Sequence, residues 1–446
     1  MNLSKLARMI VGLLFLLAPK FALGQQSGAL GTTTSNIPVL ASGQLPSVTP
    51  ASEEAPTNVF SGGITLGGNY DDNVEVDASS RVWDIEYMVM PHISFEETHR
   101  RIAWGLSYTP GVELSQRLLS RNLFAQRFGG HLVWRTSPHG ILSAQQYYLV
   151  TMNPFEGFAD TSPGPTISPN ETLYIPNVRR TLLLSNVLYS YQSSARTTMG
   201  VGGTFELQKY DDTPQSGPTT ALIHSQVASG EAYIAYQFTP RNQIGFQYGL
   251  QVLRFPQVDG RTTTHSFLVF DQMNLSSQTR LTLYGGPEYS LTSNEIVLNL
   301  GFVFVSLPVN ATKWTGAGGV IYNWTGDHLA AAIDFSRRVS DGGGLVGAVE
   351  LTYGRAELAW RFSRNWSLTS GILGADNQLL AVTNGNDELR TYSGQIGLHR
   401  QLGRTVGIRT FYERLNETGS FNGLSIGNRD IVGVSLDYSF MKPLGG

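Results

Sequence analysis

Two kinds of residue constellation in this 446-residue chain could do chemistry. The first is hydrolytic. His224-Ser225 and His265-Ser266 are the adjacent His-Ser pairs, and Asp71-Asp72 and Asp211-Asp212 are paired acids. A serine nucleophile needs a base within hydrogen-bond reach and a third group to orient that base. Neighbouring residues of a strand point to opposite faces, so His265 and Ser266 cannot act together if that segment is extended. Aspartates at loop tips are routine turn formers. With no cysteine and no phosphate-loop, dinucleotide, zinc or EF-hand spacing, the expectation is a non-enzyme without a cofactor. The second constellation is electrostatic. Glu156 and Asp160 lie in the longest unpatterned stretch, Asn153–Asn177. Arg101, Arg127, Arg135 and His131 precede it, and Asp84, Glu86, Arg355 and Glu357 sit on polar phases elsewhere. Acids set against arginines across a wet passage make a transverse field that orients polar solutes. Of the 31 bases 26 are arginine, the residue suited to fixed, forked pairing.

Those side chains need elements to hold them, and the pattern that recurs is strict alternation. In 82–95, Trp83, Ile85, Tyr87, Val89, Ile93 and Phe95 oppose Asp84, Glu86, His92 and Ser94. In 122–135, Phe124, Phe128, Leu132 and Trp134 oppose Arg127, His131 and Arg135. In 242–254, Ile244, Phe246, Tyr248, Leu250 and Val252 oppose Gln243, Gln247 and Gln251. Period two predicts strands with one apolar and one wet face. Eighteen such segments run from 61–70 to 430–440, or sixteen if 263–274 or 346–362 is not a strand. At ten to fifteen residues most exceed an ordinary globular strand of roughly 5–6 residues and match a tilted membrane strand of about 9–11 plus overhang.

The connections alternate. Short turns are predicted near Glu97-Thr98, Ser137-Pro138, Ser194-Ala195, Pro240-Arg241, Ser276-Ser277, Gly326-Asp327, Ser363-Arg364 and Gly403-Arg404. The others are mostly longer, the shortest being the Asp341–Gly344 glycine loop. Aromatics gather beside the short turns: Phe95, Trp134, Tyr191, Phe238, Trp324, Phe362, Trp366 and Phe440. Short turns on one rim, long loops on the other and an aromatic girdle predict a transmembrane antiparallel up-and-down β-barrel of all-β class. Lipid tolerates no open sheet edge, so the strand near Ile64–Asn69 must pair with the last one.

The last strand, Ile431–Phe440, carries Gly433-x-x-Leu436-x-Tyr438-x-Phe440. This resembles the closing strand of bacterial outer-membrane β-barrels of the porin-like superfamily, whose aromatic-ended pattern the barrel-assembly machinery recognises. Here Ile431 stands where a polar residue is usual, and MKPLGG follows Phe440. Pro154-Phe155-Glu156-Gly157 is similar in residue types, though not in order, to the inturned third loop of general diffusion porins. That resemblance implies a constriction in which Glu156 and Asp160 face Arg101, Arg127 or Arg135. The Asn-Gly pair that follows the histidine and serine of barrel phospholipases is missing.

Residues 1–24 read as a signal peptide with Lys5 and Arg8 before an apolar Met9–Ala18 core. Residues 25–60 read as a flexible periplasmic leader and 61–446 as the barrel. Removing Lys5, Arg8 and Lys20 takes the net charge from −3 to −6, which disfavours nucleic acid. The expected location is the outer membrane of a Gram-negative-type cell. Expected partners are its lipid and lipopolysaccharide, the barrel-assembly machinery and small hydrophilic solutes. The expected function is passive diffusion of those solutes. The alternatives are an export barrel for a secreted polysaccharide working with periplasmic export components, and a structural barrel with a closed lumen.

Overall fold

A computed structural model describes residues 58–76, 81–152, 178–211, 222–299, 304–345, 347–380, 388–419 and 427–444. Eighteen antiparallel strands follow one another: β1 (Val59–Asp71), β2 (Asp84–Thr98), β3 (Ile102–Ser115), β4 (Leu123–Arg135), β5 (Gly140–Thr151) and β6 (Arg180–Gln192). Then come β7 (Thr197–Tyr210), β8 (Ser225–Thr239), β9 (Asn242–Phe255), β10 (Gly260–Asn274), β11 (Thr279–Asn299) and β12 (Phe304–Thr325). The chain ends with β13 (Leu329–Ser340), β14 (Val349–Ser363), β15 (Trp366–Leu379), β16 (Glu388–Gln401), β17 (Val406–Gly419) and β18 (Asn428–Pro443). Each strand pairs with its chain neighbours, and β1 pairs with both β2 and β18, so the sheet closes without an edge. Both segments of uncertain assignment, 263–274 and 346–362, are strands, within β10 and as most of β14.

The two faces follow the alternation. On β2, Tyr87, Val89, Ile93 and Phe95 are exposed to the outside, while Asp84 is 3% exposed on the inner face. On β9, Ile244, Phe246, Tyr248 and Leu250 face out and Gln247 and Leu253 are buried inside. The outer surface is an apolar belt that only lipid covers favourably, and the girdle aromatics Phe95, Trp134, Tyr191, Phe238, Phe362 and Phe440 are exposed along it. Trp366 stacks on Phe362 at 6.3 Å, with the Arg400 guanidinium over its ring.

The seam is fully paired, from Val59 opposite Pro443 to Asp71 opposite Ile431, and includes Ile64–Asn69 opposite Gly433–Tyr438. Residues Met441–Pro443 of the C-terminal extension continue β18 against Val59–Ser61 rather than trailing free. Side chains fix the same register. Thr65 Oγ1 donates to Asp437 at 2.7 Å, Asp430 N to Asp72 Oδ1 at 2.8 Å, and Arg429 Nε to Asp71 Oδ2 at 2.7 Å. Phe60 packs on Phe95 and Phe440 at centroid distances of 4.8 and 5.8 Å, joining β2, β1 and β18 at the short-turn rim.

Two connections depart from the predicted lengths. Segments 279–290 and 312–324 extend into one hairpin, paired up to Asn299 opposite Phe304, where a long loop was expected. The backbone there meets its own hydrogen-bond demand by pairing outward rather than coiling. The β9–β10 connection is only residues 256–259, closed by Asp259 in the left-handed conformation (φ 45°).

Candidate functional site

The inner wall is mixed, with charged and amide side chains between apolar clusters on β5–β6, β8–β10 and β14–β17. It carries Asp84, Glu113, Glu206, Glu231, Glu288, Asp334, Glu413 and Glu417 as buried acids, with Arg121, Arg180 and Arg429 as buried bases. Buried charges need a partner, and several of these have one. Gln247 Nε2 donates to Glu231 at 2.6 Å, and the Arg117 and Leu118 backbone N–H groups donate to Asp84 at 3.0 and 3.3 Å. Arg355 is ion-paired with Glu357, and the Tyr353 hydroxyl donates to Asp334. Arg338 lies over the Tyr353 ring at 5.5 Å.

Among the described residues, one hairpin folds into this lumen. β12 pairs with β13 only from Gly318–Arg337 to Thr325–Ala330, although β12 itself runs on to Phe304. β13 stays paired with β14 up to Ser340 opposite Val349. The top of the β13–β14 pair therefore leaves the wall at Arg337. Val339 sits on the outward phase of β13 yet is 1% exposed. It packs with Ile223, Val227, Leu253 and Phe255, on the inner face of β8, β9 and the segment before β8. Its N–H donates to the inward Glu288 at 3.1 Å.

The tip is built to lie there. Gly342, Gly343, Gly344 and Gly347 have φ of 71°, 63°, 108° and 107°, a region that L side chains rarely adopt. A Cβ on Gly344 would stand 2.8 Å from the Tyr210 ring. Asp341 is fully buried and accepts from Ser225 Oγ. The Tyr210 hydroxyl donates to the Gly343 carbonyl, and Ile223 N donates to Gly344 O at 3.1 Å. On the opposite side Leu345 joins Val76, Val349, Leu351, Leu373, Leu389 and Leu415 in an apolar cluster drawn from β14 to β17 and the β1–β2 connection. The hairpin tip thus touches two walls of the barrel near the long-loop end.

Of the residues predicted to line the passage, Arg127, His131, Asp84, Glu86, Arg355 and Glu357 are on inward strand phases. His131 approaches Glu96 at 3.7 Å. Arg135 is the exposed last residue of β4, and Arg101 is exposed in the β2–β3 turn on the short-turn rim. Glu156 and Asp160 lie outside the described residues. Gly433 is inward on β18, while Leu436, Tyr438 and Phe440 are exposed on the outer face. The inturned segment was missed because its glycine run carries no alternation. A signal was present nonetheless: Leu345, Val346, Ala348, Val349 and Leu351 are apolar on both phases, which fits no lipid-facing strand.

The described hydrolytic candidates have structural partners, and Asp212 lies outside the described residues. His265 faces outward and bonds Tyr248 Oη at 2.9 Å, whereas Ser266 faces inward beneath Gly249. His224 Nδ1 accepts from Tyr210 N at 3.2 Å, and Ser225 is engaged with Asp341. Asp71 and Asp72 pair with Arg429 and Arg81, and Asp211 with Arg179. Among the described residues no three His or carboxylate groups converge as a metal site.

No family model matches the chain, and no curated protein matches it. Among solved structures it is similar to Pseudomonas aeruginosa OccK2 (OpdF), at 11% identity and TM-score 0.39 over 86% of this chain and 98% of that one. It is also similar to Pseudomonas aeruginosa OpdL, at 11% identity and TM-score 0.40 over 86% and 98%. The ferric citrate transporter FecA in its unliganded form gives 10% identity and TM-score 0.41 over 85% of this chain and 64% of FecA. At these scores the likeness adds nothing to the closed barrel already established by the chain's own strand pairing.

Proposed function

We propose that the chain is an outer-membrane channel for small hydrophilic solutes, with the β13–β14 hairpin as its constriction. The observation that carries this reading is the hairpin's departure from β12 into a barrel whose wall carries buried acids and arginines between apolar clusters. Barrels of this strand number enclose room for an aqueous channel, and an acid- and arginine-lined wall suits polar rather than apolar cargo. Glu156 and Asp160 belong to this proposal as candidate additional constriction residues.

The two-sided packing of the tip favours a second reading, a barrel whose lumen is closed at rest. Planar-bilayer recording of purified protein separates the two. A chain lacking residues 341–348, with Ser340 and Val349 joined through a two-residue turn, is expected to conduct several-fold more than the intact chain. Stepwise conductance by the intact chain supports the channel. Silence from both, with the barrel folded, would leave only the closed structural barrel.

A further inference from the structure

Among the described residues, the outer face of the barrel holds a pair of bases with no acid partner. Arg254 on β9 and Arg261 on β10 are directly opposite in the antiparallel register, and both are exposed. Residues so placed hold their Cβ atoms about 4.5–5.5 Å apart, and like charges in that position repel. Other arginines around the long-loop rim have an acid: Arg81 has Asp72, Arg179 has Asp211, Arg337 has Glu350, Arg390 has Glu388 and Arg414 has Asp430. Among the described residues Arg254 and Arg261 have none. Asp259, in the turn between their strands, is ion-paired to neither.

Their height is informative. Below Arg254 on the same face run Val252, Leu250, Tyr248, Phe246 and Ile244, all but Val252 exposed to the outside. A strand rising about 3.3 Å per residue at a tilt of about 40° climbs about 25 Å between Ile244 and Arg254, the height of a barrel's apolar band. The pair therefore sits where the hydrocarbon of the leaflet on the long-loop side meets its headgroups. Two guanidinium forks side by side suit one phosphate, which accepts from both and cancels their repulsion.

We infer that Arg254 and Arg261 form a binding site for a phosphate of the phosphorylated glycolipid in that outer leaflet. An acyl chain of the glycolipid would lie along the Leu250–Phe246 surface below. The site does not depend on whether the lumen conducts.

The test uses full-length protein stripped of lipid in detergent, titrated with bisphosphorylated lipid A and followed by native mass spectrometry. Arg254→Gln/Arg261→Gln is expected to bind at least tenfold more weakly. Arg390→Gln, which removes an already paired arginine, is expected to bind like the unaltered chain. Dephosphorylated lipid A is expected to bind the unaltered chain no better than the double variant binds the phosphorylated form. Should the double variant not fold, Arg254→Gln alone is expected to lower binding several-fold. Equal binding by the double variant and Arg390→Gln would overturn the site. So would an equally strong response of the pair to phosphatidylglycerol or inorganic phosphate, which would make it a general phosphate contact.

Discussion

At the scale of single residues, the barrel's inner surface is decided by whether each buried charge has an answer. Arg429 gives the clearest case. Its Nε donates to Asp71 Oδ2 at 2.7 Å and its Nη2 is ion-paired to the same oxygen at 2.7 Å, with Arg121 at 4.0 Å, and all three side chains are buried. Removing one member of a buried pair leaves the other desolvated and uncompensated, a loss of about 3–5 kcal/mol. Arg429→Ala is therefore expected to lower the unfolding midpoint of the detergent-solubilised barrel markedly, measured by denaturant titration of tryptophan fluorescence. Replacing the exposed Arg135 should leave that midpoint within about 0.5 kcal/mol. Equal effects would mean that Asp71 has other support. At this scale the sequence was only partly legible. Alternation assigned Asp84, Glu86, Arg127 and Glu357 to the inner phase, because period two is a property of neighbours. It could not say that Asp71 meets Arg429, since that contact spans the closure of the whole sheet.

At the scale of elements, the β13–β14 hairpin matters most. Its conformation rests on glycines rather than on strand propensity, and so an added side chain should act locally. Gly344→Val puts a branched side chain into a left-handed backbone (φ 108°) with its Cβ 2.8 Å from Tyr210. The expected outcome is a hairpin that cannot dock, higher single-channel conductance, and an unchanged shift between folded and heat-denatured bands on a gel. Unchanged conductance would mean that docking does not limit flow. The elements themselves were readable where a lipid-facing strand demands it. Eighteen strands, their parity and the pairing of Ile64–Asn69 with the last strand all follow from alternation plus the need to close. What alternation does not contain is direction. It marks which side of a strand is apolar but not that β13 bends off β12 at Arg337. It likewise placed a loop where β11 and β12 continue as one hairpin.

At the scale of the molecule, the chain is a closed wall with a sorted cross-section. Apolar side chains face lipid, charges and amides share the inner face with apolar clusters, and an apolar plug lies across the long-loop end where the hairpin and the β1–β2 connection meet. That plug is the point on which open channel and closed barrel diverge, and the chain's lack of cysteine makes it accessible to direct measurement. Ser225→Cys/Asp341→Cys replaces two side chains that touch across the lumen. With a short bifunctional thiol reagent, the account predicts efficient cross-linking of the folded barrel, seen by mass spectrometry, and a cross-linked chain that conducts no more than the untreated one. Failure to cross-link in a folded barrel, or a cross-linked chain that conducts more than the untreated one, would contradict the placement of the hairpin across the pore.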